Sequence, residues 1–252
     1  LAQDATFIAP EVQWWHVSPL IALVAGALFL LVVGALTPRW PRGLHGGVAA
    51  LTAATSGALA FVQWHTIDDD GPDVILSGAL AFDHLTQIIT ITICASVLLV
   101  ALVTIDELTR AGKDAPEVYA MFLLASVGGV VMASANDLIV LFLGLETLSL
   151  ALYVLAASDR TEPGQEAGMK YFFVGGFASA VFLYGIALVY GGTQSTNLGE
   201  IAGSFTGTVS LDGDHPLILA GLALMLVGLG FKVAAVPFHA WTPDVYQGAP
   251  NN

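Results

Sequence analysis

The chain is predicted to be all-α and polytopic, with about seven transmembrane helices, the seventh broken near Pro237. Three observations predict this. Only 11% of the 252 residues are charged and 56% are hydrophobic, whereas a soluble domain carries about 25% charged residues. The apolar residues gather in segments, most of them near the ~20 residues that cross ~30 Å of hydrocarbon as a helix. The five cations that lie between those segments fall only in alternate connections.

The segments run roughly 18–37, 43–64, 82–105, 117–135, 138–157, 165–191 and 216–247. Inside lipid the backbone must bond to itself, and these lengths favour helices over barrel strands. The last segment is too long for one straight span. Pro237 interrupts it, removing an N–H and clashing with the preceding turn, so a break is expected near 233–238. Gly128-Gly129 and Gly175-Gly176 lie inside spans, where small residues let helices approach closely. No short repeat and no low-complexity stretch is present.

The connections carry the orientation. Arg39 and Arg42, then Arg110 and Lys113, then Arg160 occupy every second one. The connections between them hold acids instead, among them Asp68, Asp69, Asp70, Asp73, Glu200, Asp212 and Asp214. The positive-inside rule puts the five cations in the cytoplasm and residues 1–17 outside as an extracytoplasmic amino terminus. Trp14, Trp15 and Trp64 then mark the outer interface, and Trp40 the inner one. Residues 1–15 include Asp4 and Glu11 and no basic stretch, so they do not read as a secretory signal peptide. A start at Leu1 is read as a fragment or a processed end.

Composition also narrows function. A net charge of −13 argues against nucleic acid, which needs Lys and Arg clusters. One cysteine, Cys94, builds no disulfide and no thiolate metal site, and reads as a small buried residue. The histidines are scattered, so no metal is expected. No phosphate-cradling glycine loop, Gly-x-Ser-x-Gly elbow or His-Glu-x-x-His pattern occurs.

Two charges remain near mid-membrane. Glu146 is the ninth residue of LIVLFLGLETLSLALYVLAA, and Lys232 stands just before the expected break. Each costs ~2.5–3.5 kcal/mol at a helix centre. They could pair, either as a proton or ion path or as a structural buried ion pair. At ~4 Å and an effective dielectric near 20 their attraction would be ~4 kcal/mol. A shift of a few ångström would then change how firmly Lys232 holds its proton. Lys170 follows Glu166 by four residues, the spacing of a helical ion pair, and lies where a lysine can also snorkel to the surface. His239, two residues past Pro237, is either a packed ring or a proton carrier. Asp83, Asp137 and Asp244 read as helix-end or interface residues.

The stretch FKVAAVPFHAWTPDVYQGAP resembles the broken seventh helix of the antiporter-like subunits of respiratory complex I. NDLIVLFLGLETLSLALYVLAA resembles their fifth helix, and AGMKYFFVGGFASAVFLYGIALVYGGTQSTNLGEIA their sixth helix and the loop after it. The continuation TPDVYQGAP, with Lys-Tyr-Phe and Ser-Thr-Asn-Leu, is most similar to the subunit N type of NADH-quinone oxidoreductase. The resemblance is strong over 136–250 and weaker over 1–135. It implies that Glu146 and Lys232 form the pair that tunes proton transfer, that Lys170 is the functional lysine of the sixth helix, and that His239 is a relay or water-organising group.

The resemblance also implies a membrane subunit taking part in proton translocation coupled to electron transfer from NADH to quinone. The subunit would sit in the bacterial inner membrane beside other membrane subunits, including neighbouring antiporter-like ones. No cofactor is expected on this chain; NADH, flavin, iron-sulfur clusters and quinone are expected on partner subunits. Residues 18–116 would be the first three helices, and 117–252 a first antiporter-like repeat that stops before its last helix. The chain is expected to be an amino-terminal half. A cation/proton antiporter subunit, a membrane-bound hydrogenase subunit and a purely structural spacer are the rival readings.

Overall fold

The computed structural model describes residues 12–37, 41, 43–110, 115–205 and 216–250. Among them, six helices are long and apolar enough to cross a membrane: α1 Ser18–Leu36, α2 Leu44–Asp70, α3 His84–Arg110, α4 Pro116–Ser134, α5 Leu138–Ala156 and α6 Glu162–Thr193. A short helix, α7, spans Leu198–Ser204. The shorter apolar helix α8 spans Pro216–Lys232, and α9 spans Thr242–Gly248. The protein is a multi-pass, all-helical membrane protein with one small hairpin.

The helix ends follow local chemistry. Pro116 opens α4 without wasting an N–H. Asp137 caps α5, accepting from the backbone N–H groups of Ile139 and Val140. Asp83 accepts from the N–H of Thr86 at the start of α3. Thr161 caps α6, taking the N–H of Gly164. Both aspartates therefore sit where the sequence placed helix-end residues.

Packing follows the small residues. A Cβ on Gly128 of α4 would lie 2.3 Å from the backbone nitrogen of Leu148 in α5. Gly185 of α6 and Gly221 of α8 face each other's carbonyls equally closely. Such approach is how helices associate where lipid tails are as apolar as leucine. Two larger apolar cores lie among the described residues. Leu23, Leu30, Ala49, Tyr119 and Leu123 join α1, α2 and α4. Leu145, Phe182, Ile186 and Met225 join α5, α6 and α8. Two buried hydroxyls are satisfied inside the bundle: Ser56 donates to the Pro19 carbonyl at 2.8 Å, and Thr90 to that of Thr86 at 2.8 Å. Cys94 is buried, as expected.

Three features differ from the sequence expectation. Asp68, Asp69 and Asp70 belong to the last turn of α2, not to a loop. The rest of that connection is a hairpin, with β1 Asp73–Ile75 paired antiparallel to β2 Leu80–Phe82. Leu76, Ser77 and Gly78 turn it with positive φ, which Gly78 adopts freely. The connection after α6 contains α7, capped by Asn197.

Hairpin, turn and loop are tied together at one end of the bundle. The Gly78 carbonyl accepts the side-chain amides of Asn136 at 2.8 Å and Asn197 at 3.0 Å. Leu138 N–H donates to the Thr196 carbonyl, and Leu198 N–H to that of Asn136. Thr196 donates its hydroxyl to Asp137 at 2.5 Å. At the opposite end, one cleft is lined by Leu108, Glu117, Asp159 and Arg160, so the ends of α3 and α5 lie together there. Arg110 and Arg160 thus share an end, with Arg110 paired to Asp106 at 2.6 Å. The expectations for Asp4, Glu11, Arg39, Trp40, Arg42, Lys113, Asp212, Asp214, Asn251 and Asn252 fall outside the described residues.

Candidate functional site

The site is built by α5, α6 and the break after α8. Glu146 lies at the middle of α5, half-buried, and its carboxylate accepts the hydroxyl of Ser179 from α6. Ser149 and Tyr153 follow at i+3 and i+7, which places all three side chains on one face of the helix. Ser149 is fully buried and Tyr153 is 6% exposed.

α8 ends at Lys232. Beyond it the backbone leaves the helix: Ala234 has φ +52°, and Pro237 has no N–H to continue the ladder. The break therefore begins where the sequence marked it, at 233–238, and runs on to Trp241 before α9. It frees carbonyls. That of Phe231 accepts both the Ala234 N–H at 3.0 Å and the indole N–H of Trp241 at 3.3 Å.

Lys232 enters an aromatic corner. Its ammonium donates to the Tyr153 hydroxyl at 3.1 Å. It also lies 5.0 Å from the Tyr153 ring centroid and 5.6 Å from that of Tyr171, within cation–π range. Tyr171 stands edge-on to Tyr153 at 4.6 Å and stacks on Trp241 at 4.6 Å with an interplanar angle of 6°. Trp241 in turn leans over Phe231. The residues after the break thus fold back and wall in the lysine before it. A cavity of about 440 Å³ opens beside Lys232, bordered by Phe122, Leu155, Tyr171, Trp241 and Val245.

The direct Glu146–Lys232 pair at ~4 Å is not formed: among the described residues the ion pairs within 4.0 Å do not include it. The reason is spacing. Tyr153, which holds Lys232, stands two turns from Glu146, ~10.5 Å along the axis. Ser179 meanwhile occupies the carboxylate. Glu146 and the Tyr153 that holds Lys232 share one face of α5, with Ser149 between them.

Lys170 lies near the start of α6 and is 44% exposed. It pairs with Glu166 at 2.8 Å, as the four-residue spacing predicts, and with Asp244 of α9 at 2.6 Å. Asp244 does stand in the first turn of α9, but its carboxylate also fastens α9 to α6. His239 is exposed in the break; among the described residues its ring makes no hydrogen bond or ion pair. The site thus brings together Glu146 and Lys232 along α5, and leaves Lys170 and His239 outside the aromatic corner.

Sequence reasoning missed Tyr153, Ser179, Tyr171 and Trp241. Tyr153 carried a signal, its seven-residue spacing from Glu146. Ser179 carried none, because its meaning depends on how α5 and α6 cross.

The family described as NADH:quinone oxidoreductase/Mrp antiporter, transmembrane, matches residues 135–252. Over these residues the chain is similar to that family. The whole site, from Glu146 to Trp241, lies in the matched part. NADH-quinone oxidoreductase subunit N from Myxococcus xanthus is 40% identical, covering 92% of this chain and 44% of that protein. Subunit N 1 from Sorangium cellulosum is 41% identical, covering 93% and 48%. A chain of respiratory complex I from Thermus thermophilus superposes with a TM-score of 0.73 at 36% identity, covering 92% of this chain and 48% of that one. The chain therefore spans about half the length of the curated relatives it matches.

Proposed function

We propose that the chain is part of a membrane subunit that takes part in proton translocation within an NADH-quinone oxidoreductase. The observation that carries this reading is Lys232, held where α8 ends by Tyr153, which shares a face of α5 with Glu146. A cation inside an apolar bundle is costly, and structure alone does not call for it. Burial and a carboxylate pull a lysine's proton affinity in opposite directions, so small displacements change its state. In this reading Lys232 takes up and releases the proton, and Glu146 sets the local potential. Lys170 serves the side where α6 begins, and His239 passes protons or orders water beyond the break.

The energy would come from partner subunits carrying NADH, flavin, iron-sulfur clusters and quinone, with no cofactor on this chain. Neighbouring antiporter-like subunits would flank it in the bacterial inner membrane. The basic connections would face the cytoplasm and the amino terminus the other side. Residues 117–252 would form the first antiporter-like repeat.

Lys232→Met in the full-length subunit of the assembled complex tests this. Protons taken up per electron are measured in membrane vesicles oxidising NADH. The ratio is expected to fall with assembly intact; an unchanged ratio with normal assembly refutes the reading.

A further inference from the structure

The polar line on α5 contains one group that neither charge explains. Tyr153 is a large side chain, almost fully buried, whose hydroxyl ends on the ammonium of Lys232. Burying a phenol oxygen without a partner is costly, and here the partner is a cation. The ring is fixed by its neighbours: Tyr171 at 4.6 Å and Phe172 at 5.8 Å, both edge-on.

The hydroxyl reaches Lys232 because α6 carries no side chain opposite it. A Cβ on Gly175 would lie 2.1 Å from the Tyr153 oxygen, 2.7 Å from Cζ and 3.0 Å from Cε1. Any larger residue at 175 must push the ring aside. The neighbouring Gly176 has nothing within 4 Å of its own Cβ position, so the hollow belongs to 175 alone.

The chemistry of the pair is one-sided for the lysine and two-sided for the phenol. An ammonium only donates, whereas a phenol oxygen accepts and its O–H donates. Tyr153 can therefore accept from charged Lys232 and donate to the neutral amine, keeping the nitrogen in one place through both states. Ser149 stands one turn from both Glu146 and Tyr153 on the same face. Its hydroxyl donates to the Leu145 carbonyl, leaving the oxygen's lone pairs to receive a proton donor.

We propose that Tyr153 is a positioning residue for Lys232, and that Gly175 provides the space its hydroxyl needs to hold the lysine nitrogen on the Glu146 face. This rests on the proton-translocation reading of Lys232 given above.

The test uses the full-length subunit in its assembled complex, in vesicles oxidising NADH. Tyr153→Phe keeps the ring and removes the hydroxyl. Gly175→Ala keeps the hydroxyl and displaces it. Losing one hydrogen bond to a charged group corresponds to about a tenfold or larger effect on the step it serves. Proton uptake is therefore expected to fall about tenfold in both variants. Incorporating 3-fluorotyrosine at position 153, which restores the hydroxyl, is expected to recover it.

Wild-type uptake in Tyr153→Phe beside blocked uptake in Lys232→Met overturns the proposal and leaves the reading of Lys232 standing. Wild-type uptake in both Tyr153→Phe and Lys232→Met overturns the two together. Uptake that stays blocked with 3-fluorotyrosine also overturns the proposal, since ring packing and not the hydroxyl would then matter. Should Gly175→Ala fail to assemble, Tyr153→Phe and its rescue decide alone.

Discussion

Gly128→Ala adds one methyl group where α4 and α5 touch through their backbones. The new Cβ would lie 2.3 Å from the Leu148 nitrogen, 2.6 Å from the Gly144 oxygen and 2.8 Å from the Leu148 Cα. All three are main-chain atoms, so no rotamer relieves the clash. Carbon contacts are comfortable at about 3.5–4.0 Å, so α5 must move out by roughly 1 Å. Overpacking of this kind costs ~1–3 kcal/mol. Alanine is itself the better helix former by ~1 kcal/mol, which masks part of the loss. Gly176→Ala supplies the reference, because it has the same helical gain and open space around its Cβ. The two variants of the full-length protein are compared by reversible unfolding in a mixed-detergent titration, followed by tryptophan fluorescence. Gly128→Ala is expected to be ~1–3 kcal/mol less stable than Gly176→Ala. Equal stability of the two would refute the reasoning that backbone contact sets the α4–α5 spacing.

Two further outcomes follow from the ends of the bundle. Asp244→Asn removes the carboxylate that Lys170 holds at 2.6 Å. Amides of α9 are then expected to exchange faster with deuterium, while those of α5 stay protected. Asn197→Ala removes both the cap of α7 and the bond to the Gly78 carbonyl. A lost cap costs ~0.5–2 kcal/mol, and limited proteolysis is expected to cut within 194–205 sooner than in the parent protein.

The spans were legible because lipid leaves the backbone few choices: an apolar run of the right length must be a helix. The break at Pro237 was legible for an equally local reason, a missing N–H. So was the Glu166–Lys170 pair, which needs only helical spacing. Tertiary facts were not legible. Glu146 and Lys232 looked like partners because their signs are opposite and both seemed central. Their separation depends on where α8 ends relative to α5, and sequence spacing across two helices does not encode that. Lys170 looked either free to snorkel or paired within its helix; its second partner, Asp244, comes from 74 positions away. The hairpin at 73–82 escaped notice because each strand has three residues, too few for alternation to register. The acids of the α2 end were mistaken for loop because charge, not helix propensity, drew the boundary.

The knot around the Gly78 carbonyl gives the bundle a fulcrum. Asp137 and Asn136 pin the first turn of α5 to the hairpin and to the loop before α7, while two turns beyond Glu146 the same helix meets the broken one through Tyr153 and Lys232. A rod held at one end turns small angles into graded displacements. A tilt of ~5° about Asp137 carries Glu146, ~13 Å along the axis, by ~1 Å, and Tyr153, ~24 Å along, by ~2 Å. The carboxylate thus travels half as far as the hydroxyl that grips Lys232. A tilt about this fulcrum is therefore felt more at the lysine than at the acid beside its serine.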